Sequence, residues 1–178
     1  VSGRYGSDAQ QWPRPKEEGD DDPVIIEYTN LVRAFFIPKE GNIFVDCDYE
    51  SLEPHVFAHV SGDEGLKDIF RNNWDFYSTI AIKTEGLSQY SGDKKAENFL
   101  RKHAPKKRNT AKAYALGIPY GMGAYALGKN IGVSTKEADK LVKGYLNGFP
   151  ELDKWMKRSE MEAKTAGYVK TQVGRVRH

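Results

Sequence analysis

The feature that most constrains the fold is a succession of helix-length segments with apolar residues at four-residue spacing. The clearest one starts at Leu52, with Val56 and Val60 following at intervals of four before Ser61 and Gly62 interrupt the pattern. Comparable patterns fit the ranges 75–84, 106–118, 134–147 and 150–166. In the fourth of these ranges, Ser134 and Glu137 form a capping-box signature. The sequence therefore predicts a helix-rich α+β fold.

Extended segments are predicted on both sides of the helical region. Ile43–Val45 is a short apolar run after Gly41, and it predicts a buried strand that ends near Asp48. Because side chains alternate along a strand, Asp46 and Asp48 would share one face. The range 167–175 is rich in β-branched residues and predicts a hairpin.

Charge is distributed unevenly along the chain. The 178 residues carry a net charge of only +2, so a nucleic-acid function depends on where the charges lie. An acidic stretch at 17–22 lies between two prolines and predicts an exposed loop. Two basic clusters are either solvated helix faces or surfaces that face phosphates. The first contains Lys94, Lys95, Arg101, Lys102, Lys106, Lys107, Arg108 and Lys112, and the second Lys170, Arg175, Arg177 and His178.

Composition argues against a membrane protein and is compatible with a reducing compartment. No apolar run approaches the roughly 20 residues needed to cross a bilayer. The single cysteine, Cys47, cannot form an internal disulfide. The first ten residues, VSGRYGSDAQ, lack a signal-peptide pattern and an initial Met, so we expect a piece excised from a longer protein.

Acidic residues around Asp48 form the first chemical constellation. A carboxylate at the end of a buried strand is costly unless it is compensated, and a divalent cation is a common compensator. The alternative is an ordinary strand-end aspartate in a turn. Glu53, five residues further on, equally suits the first turn of a helix, where an acid complements the helix dipole.

A stripe of four side chains forms the second constellation. Arg108, Lys112, Leu116 and Tyr120 recur at intervals of four, which places them along one face of a helix over about 18 Å. Two cations followed by an apolar side chain and a ring suit a nucleoside triphosphate lying along the helix. A plain amphipathic helix remains the alternative. Pro119 should stop or kink this helix because it lacks a backbone donor.

These constellations resemble the motifs of family-A DNA polymerases, the bacterial polymerase I and phage replicative type. DYESLEPHVFAHVSGDEGL resembles motif A, and RNTAKAYALGIPYGM resembles motif B, the helix of the fingers. Before them, SGRYGS, QQWP and LVRAF resemble the family's lead-in segments. After them, the segments beginning GFP and GYVKTQVGR follow the family's pattern in the same order. The resemblance spans nearly the whole chain.

The resemblance implies part of the palm and the fingers of a polymerase right-hand fold. Residues 1–60 would be a palm segment containing the motif A strand with Asp48 and the following helix. Residues 61–150 would be the fingers with the motif B helix, Arg108–Tyr120, and residues 151–178 would return toward the palm. The implied function is template-directed DNA synthesis by Mg²⁺-dependent nucleotidyl transfer in the cytoplasm of a bacterial cell or a phage-infected host, with primer-template DNA and dNTPs as partners.

The resemblance also implies roles for individual residues. Asp48 and the backbone carbonyl of Tyr49 would bind metal, two Mg²⁺ ions with Mn²⁺ as a substitute. Glu53 would be the steric gate against a 2′-OH. The implied catalytic residues are Asp48, Arg108, Lys112 and Tyr120. The implied dNTP-binding residues are Tyr49, Glu50, Ser51, Leu52, Glu53, Tyr77, Arg108, Lys112, Leu116 and Tyr120. The implied DNA-binding residues are Arg4, Lys106, Lys107, Gly121, Thr171, Arg175 and Arg177.

The sequence also departs from the family pattern. Leu116 stands where Phe or Tyr is usual, Tyr77 where a phosphate-binding His is frequent, and His55 where Arg is usual. The His-Asp-Glu of motif C, which carries the second metal carboxylate, does not occur in these 178 residues. We therefore expect the chain alone to be inactive, with motif C supplied by a missing segment or a partner chain. The alternative is a non-catalytic module that binds primer-template or nucleotide.

Overall fold

The computed structural model describes residues 23–45, 47–90 and 99–178. The chain divides into two compact units, Val1–Asp48 and Tyr49–His178. Several predictions from the sequence lie outside the described residues. They concern the acidic loop at 17–22, the DNA contact Arg4, the strand position of Asp46, and the basic residues Lys94 and Lys95.

The first unit contains one helix in its described part, α1, Pro23–Ala34. The sequence analysis did not identify this helix, although Pro23 at its first position is compatible with a helix start. The predicted buried strand at Ile43–Val45 is wrong, because residues 42–45 have no regular secondary structure. Ile43, Phe44 and Val45 are 82%, 65% and 76% exposed. A strand requires a paired neighbour, and the described part of this unit supplies none.

The second unit is a bundle of helices that ends in a hairpin. Its helices are α2, Leu52–Ser61; α3, Glu64–Arg71; α4, Phe76–Glu85; α5, Phe99–His103; α6, Pro105–Gly117; α7, Ala124–Ile131; α8, Thr135–Gly148; and α9, Pro150–Ala166. Single 3₁₀ turns lie at Ser88–Tyr90 and Ile118–Tyr120. Strands β1, Val169–Lys170, and β2, Val176–Arg177, pair antiparallel, with Val169 opposite Arg177. The predicted helix-rich fold and the terminal hairpin are confirmed.

Helix ends fall where local chemistry predicts them. Gly62 follows α2 with a φ of 74°, the left-handed conformation that glycine adopts readily. At the start of α8, Ser134 Oγ accepts from the Glu137 N–H, and the Glu137 carboxylate accepts from the Ser134 N–H at 3.0 Å. This confirms the capping box. The expected effect of Pro119 is also confirmed, since α6 ends at Gly117 and a 3₁₀ turn follows.

The core of the second unit centres on the packing of α6 against α4. Helix α6 buries Ala111, Tyr114 and Ala115 completely, and α4 buries Ile80 and Ala81 to the same extent. Alanines on both helices allow their backbones to approach closely. The opposite side of α6 is therefore left to carry the polar stripe toward solvent.

A buried carboxylate joins two distant parts of this unit. Asp63 is only 3% exposed, and its Oδ1 accepts from the Leu66 N–H of α3 at 3.1 Å. Its Oδ2 accepts from the Glu151 N–H in the first turn of α9, also at 3.1 Å. One side chain therefore satisfies the orphan donors at two helix N-termini, where negative charge is favourable.

Candidate functional site

The most constrained side chain of the predicted site is Arg108. Its Nε donates to Asp75 Oδ1 at 3.0 Å and its Nη2 donates to Asp75 Oδ2 at 2.9 Å. The two side chains are 12% and 16% exposed, so the paired fork is largely shielded from water. Asp75 also caps α4, where its Oδ1 accepts from the Ser78 N–H at 2.8 Å. Asp75 was not among the predicted site residues, although an aspartate before a helical pattern is an N-cap signal.

The environment of Asp75 keeps its carboxyl ionised. Burial alone would raise its pKa, but the hydrogen bonds from Arg108 and Ser78 outweigh burial and hold the pKa below its ordinary value. The Asp75–Arg108 pair is consequently charged on both sides under ordinary conditions.

Tyr77 lies close to both cations of the predicted stripe. Its ring centroid is 5.2 Å from Arg108 Cζ and 5.8 Å from Lys112 Nζ, which are cation–π distances. Burial raises the pKa of the half-buried Tyr77 phenol, Arg108 opposes this, and the charges of Glu53 and Asp75 add to it. The structure thus brings Tyr77, Arg108 and Lys112 together, and the charge of Glu53 acts on the same phenol.

A small cleft of about 160 Å³ opens beside the Arg108 fork. It is lined by Glu50, Ser51, His55, Phe70, Asn73, Trp74, Asp75, Phe76, Tyr77 and Arg108. Ser51, just before α2, has a left-handed backbone with a φ of 50°. His55 stacks on Phe70 with ring centroids 3.7 Å apart, and its Nδ1 lies 3.0 Å from the Ser51 carbonyl oxygen. The predicted residues Glu50 and Ser51 thus share one cleft with Tyr77 and Arg108.

The rest of the stripe lines a larger open groove of about 740 Å³ between α6 and α7. Its lining residues are Asn109, Lys112, Ala113, Leu116, Gly117, Tyr120, Gly121, Met122, Ala126 and Asn130. The side of the groove formed by α7 was not predicted, because no sequence pattern indicated that helix. Tyr120 is 66% exposed, and its ring centroid lies 5.9 Å from that of Phe57 in a T-shaped arrangement. Lys112, Leu116, Tyr120 and Gly121 are therefore neighbours along one groove, as the four-residue spacing predicts.

The residues predicted to hold metal are accessible. Asp48, at the end of the first unit, and Tyr49, at the start of the second, are both exposed, as is Leu52. Carboxylate and backbone carbonyl oxygens are ligands that suit Mg²⁺ chemically. Within residues 23–45, 47–90 and 99–178, no three His, Cys, Asp or Glu side chains cluster closely enough to hold an ion. The oxygens of Asp48 and Tyr49 are thus chemically compatible with Mg²⁺, and their metal-binding role stays a prediction.

The predicted DNA-binding residues lie in two places. Lys106 and Lys107 are exposed on the first turn of α6, and Lys107 donates a hydrogen bond to Glu85, whose side chain is only 8% exposed. In the hairpin, the Thr171 hydroxyl accepts from the Arg175 N–H at 3.1 Å, and the Thr171 N–H donates to the Arg175 carbonyl oxygen at 2.8 Å. Arg177 follows on β2.

None of the helices in the described ranges is long and apolar enough to span a membrane.

This fold and site belong to a known family: the chain is a member of DNA polymerase family A, whose sequence model matches residues 21–178. It is 35% identical over 156 residues to the thermostable DNA polymerase I of Thermus filiformis, covering 88% of this chain and 17% of the relative. It is 32% identical over 157 residues to DNA polymerase I of Bacillus caldotenax, again covering 88% and 17%.

The fold comparison agrees with the sequence comparison. The solved structure of the POL domain of Pol1 from M. smegmatis, in complex with DNA primer-template and dNTP, matches with a TM-score of 0.61 and 27% identity. The match covers 74% of this chain and 21% of that structure. The chain thus spans about a sixth of the length of the curated relatives.

Proposed function

We propose that this chain supplies the dNTP-binding fingers and the first catalytic carboxylate for template-directed DNA synthesis by Mg²⁺-dependent nucleotidyl transfer. The observation that carries the proposal is that the Tyr77 ring lies within cation–π distance of both Arg108 and Lys112. Residues 1–60 belong to the palm, 61–150 to the fingers and 151–178 to the return toward the palm. Motif C comes from a segment outside these residues or from a partner chain.

The triphosphate is bound by two different kinds of cation. Arg108 offers donors in a fixed plane, because its fork is held by Asp75. Lys112 is exposed and offers a compact charge that can follow the phosphates. The Tyr77 hydroxyl replaces a histidine as a third donor. These groups neutralise the charge that grows as pyrophosphate leaves.

The sugar and base lie along the stripe toward α7. Leu116 is partly exposed on the groove and offers an apolar surface to the nucleotide, while Tyr120 holds the template position. Glu53 excludes a 2′-OH at the start of α2, and Tyr49, Glu50, Ser51 and Leu52 line the approach to it. Gly121, with a φ of 86°, turns the backbone beside the template base.

Asp48 and the Tyr49 carbonyl would hold the metal ions. Bound Mg²⁺ supplies stabilisation of the attacking and leaving oxygens. Asp48 provides a hard anionic ligand, and its exposure leaves it accessible to an ion that retains water and phosphate ligands.

Primer-template DNA contacts the basic surfaces. Lys106 and Lys107 on α6, and Thr171, Arg175 and Arg177 in the hairpin, meet the sugar-phosphate backbone, as does Arg4. These contacts are sequence-independent, and their strength falls as salt increases.

The experiment that tests this function measures dNTP and primer-template affinities separately in the polymerase that carries this segment. Lys112→Ala should weaken dNTP binding at least about tenfold, because it removes a charged hydrogen bond, while DNA affinity stays within a few-fold. Lys112→Arg keeps the charge with a different shape and should lose less. Lys106→Ala, two residues before the stripe begins, is the matched control and should affect only DNA affinity. If Lys112→Ala changes DNA affinity alone, the stripe is a duplex-binding face and the assignment is wrong.

A further inference from the structure

Helix α4 is tied to α6 at both of its ends by two adjacent basic residues. Arg108 forms a fork with Asp75 at the N-terminus of α4, and Lys107 bonds to Glu85 at its C-terminus. The two pairs join the same helices but differ in geometry. The Arg108 pair has two parallel bonds and both of its side chains are largely shielded from water, whereas the Lys107 side chain is 51% exposed.

The pairing with Asp75 does not use every donor of Arg108. It engages Nε and Nη2, so the two N–H donors of Nη1 are not part of it. A guanidinium is planar, and holding one edge of it sets the direction in which the remaining edge points. The guanidinium also lies over the Tyr77 ring, which restricts movement out of that plane.

We propose that Asp75 is a positioning residue for the nucleotide: it orients Arg108 so that Nη1 is presented to a phosphate oxygen. This inference rests on the proposed function. A flexible arginine loses rotamer freedom when it binds a ligand, whereas an arginine already held in place has lost that freedom during folding. The Asp75 carboxylate also offsets the positive charge of Arg108. Arg108 therefore contributes mainly by the fixed direction of its N–H donors. Lys112 supplies most of the net electrostatic attraction for the triphosphate.

The opposite arrangement has a distinct signature. If Asp75 competed with the phosphates for Arg108, the pair would have to break before the nucleotide bound. Removing the Asp75 charge would then tighten dNTP binding. In the positioning arrangement the same change weakens dNTP binding, so the sign of the effect separates the two.

The test is Asp75→Asn in the complete polymerase that carries this segment. Asparagine retains a side-chain oxygen that caps a helix well, so the Ser78 N–H keeps its acceptor while the charged fork is lost. We expect the KM for dNTP to rise about tenfold with a smaller change in kcat, because free nucleotide meets a disordered Arg108. Asp75→Ser, a second capping residue without the fork, should behave alike and covers the case in which the asparagine variant does not fold.

Glu85→Gln is the matched control. It weakens the other pair between α4 and α6, and should leave the KM for dNTP within about twofold. An equal rise in both variants would mean that general tethering of α4 to α6 matters, and would overturn the positioning role. In an Arg108→Ala background, Asp75→Asn should have no further effect on KM, because Asp75 acts through Arg108. An additive effect would overturn the inference.

Failure of this inference is distinguishable from failure of the proposed function. If Arg108→Ala and Lys112→Ala weaken dNTP binding but Asp75→Asn does not, only the positioning role is lost. If Asp75→Asn tightens dNTP binding, Asp75 is a competitor for Arg108. If neither cation affects dNTP binding, the nucleotide site itself is misassigned.

Discussion

The segment around motif A and the helix of motif B are built in opposite ways. Residues 42–45, which lead to Asp48, have no regular secondary structure, and Phe44 is 65% exposed. Helix α6 presents its cations from a backbone whose other face, with Ala111, Tyr114 and Ala115, is completely buried. The proposed dNTP-binding cations are thus anchored in a local core, whereas the proposed catalytic carboxylate is carried by an exposed segment. We therefore expect substitution of Asp48 to affect catalysis more than stability, and substitution on the buried face of α6 to affect stability.

The largest expected effect is that of Asp48→Ala on nucleotide incorporation. The change should abolish single-turnover incorporation in the complete polymerase, because Asp48 is proposed to hold the metal ions. Primer-template affinity should stay within a few-fold, and the thermal unfolding midpoint should not move. Asp46→Ala is the control and should cost much less. Near-normal incorporation by Asp48→Ala would remove the carboxylate from the chemistry.

A second measurement tests the stability side of the same comparison. Tyr114→Ala should lower the free energy of unfolding of the chain by about 3–5 kcal/mol, because it empties a fully buried site between α6 and its neighbours. Phe44→Ala should change it by only about 0.5 kcal/mol, since most of that ring is already in water. Denaturant titration of both variants decides the matter. Similar losses would show that the motif A segment is packed after all.

The third prediction concerns Glu53, which lies on α2 and is the proposed steric gate. If its carboxylate blocks the 2′ position, Glu53→Ala should raise the use of ribonucleotides relative to deoxynucleotides. The ratio of kcat/KM for matched rNTP and dNTP measures this directly. Glu53→Gln keeps the size of the side chain and should retain more discrimination. Equal losses for both substrates would indicate a structural role for Glu53.

The smallest expected effect is that of Lys106 and Lys107, which lie just before the stripe, on primer-template affinity. Lys106→Ala should weaken primer-template binding a few-fold at low salt and less at high salt, because it contributes to phosphate contacts. Lys107→Ala should have a smaller effect on DNA, since Lys107 already bonds to Glu85. Titrations at two salt concentrations compare them. A loss of dNTP affinity in either variant would mean that the dNTP-binding site includes residues outside the stripe.

Local patterns predicted most of the second unit, and non-local contacts account for what they missed. The capping box at Ser134 and the helix end at Pro119 depend on residues within one turn, so the sequence shows them directly. The spacing of Lys112, Leu116 and Tyr120 likewise predicted a shared stripe along one face of the chain. The pairing of Asp75 with Arg108 joins residues 33 apart, and periodicity carries no information on such a contact.

The error at Ile43–Val45 has the same origin. An apolar run of this length fits a buried strand, but burial depends on what packs against it, and the described part of the first unit supplies neither a paired strand nor a cover. Helix α1 was missed because its first turn contains Val24, Ile25 and Ile26, and β-branched residues have low helix propensity. The second wall of the groove was missed because α7 has only eight residues and Gly128 within it lowers helix propensity.

The buried carboxylate of Asp63 couples the opening motions of two helices. Because its two oxygens hold the first turns of α3 and α9, fraying at one end removes a constraint on the other. The amide hydrogens of Leu66 and Glu151, 85 residues apart in the sequence, should therefore exchange with solvent deuterium at similar rates and through a shared opening event. The start of α3 and the start of the long α9 then form one cooperative unit.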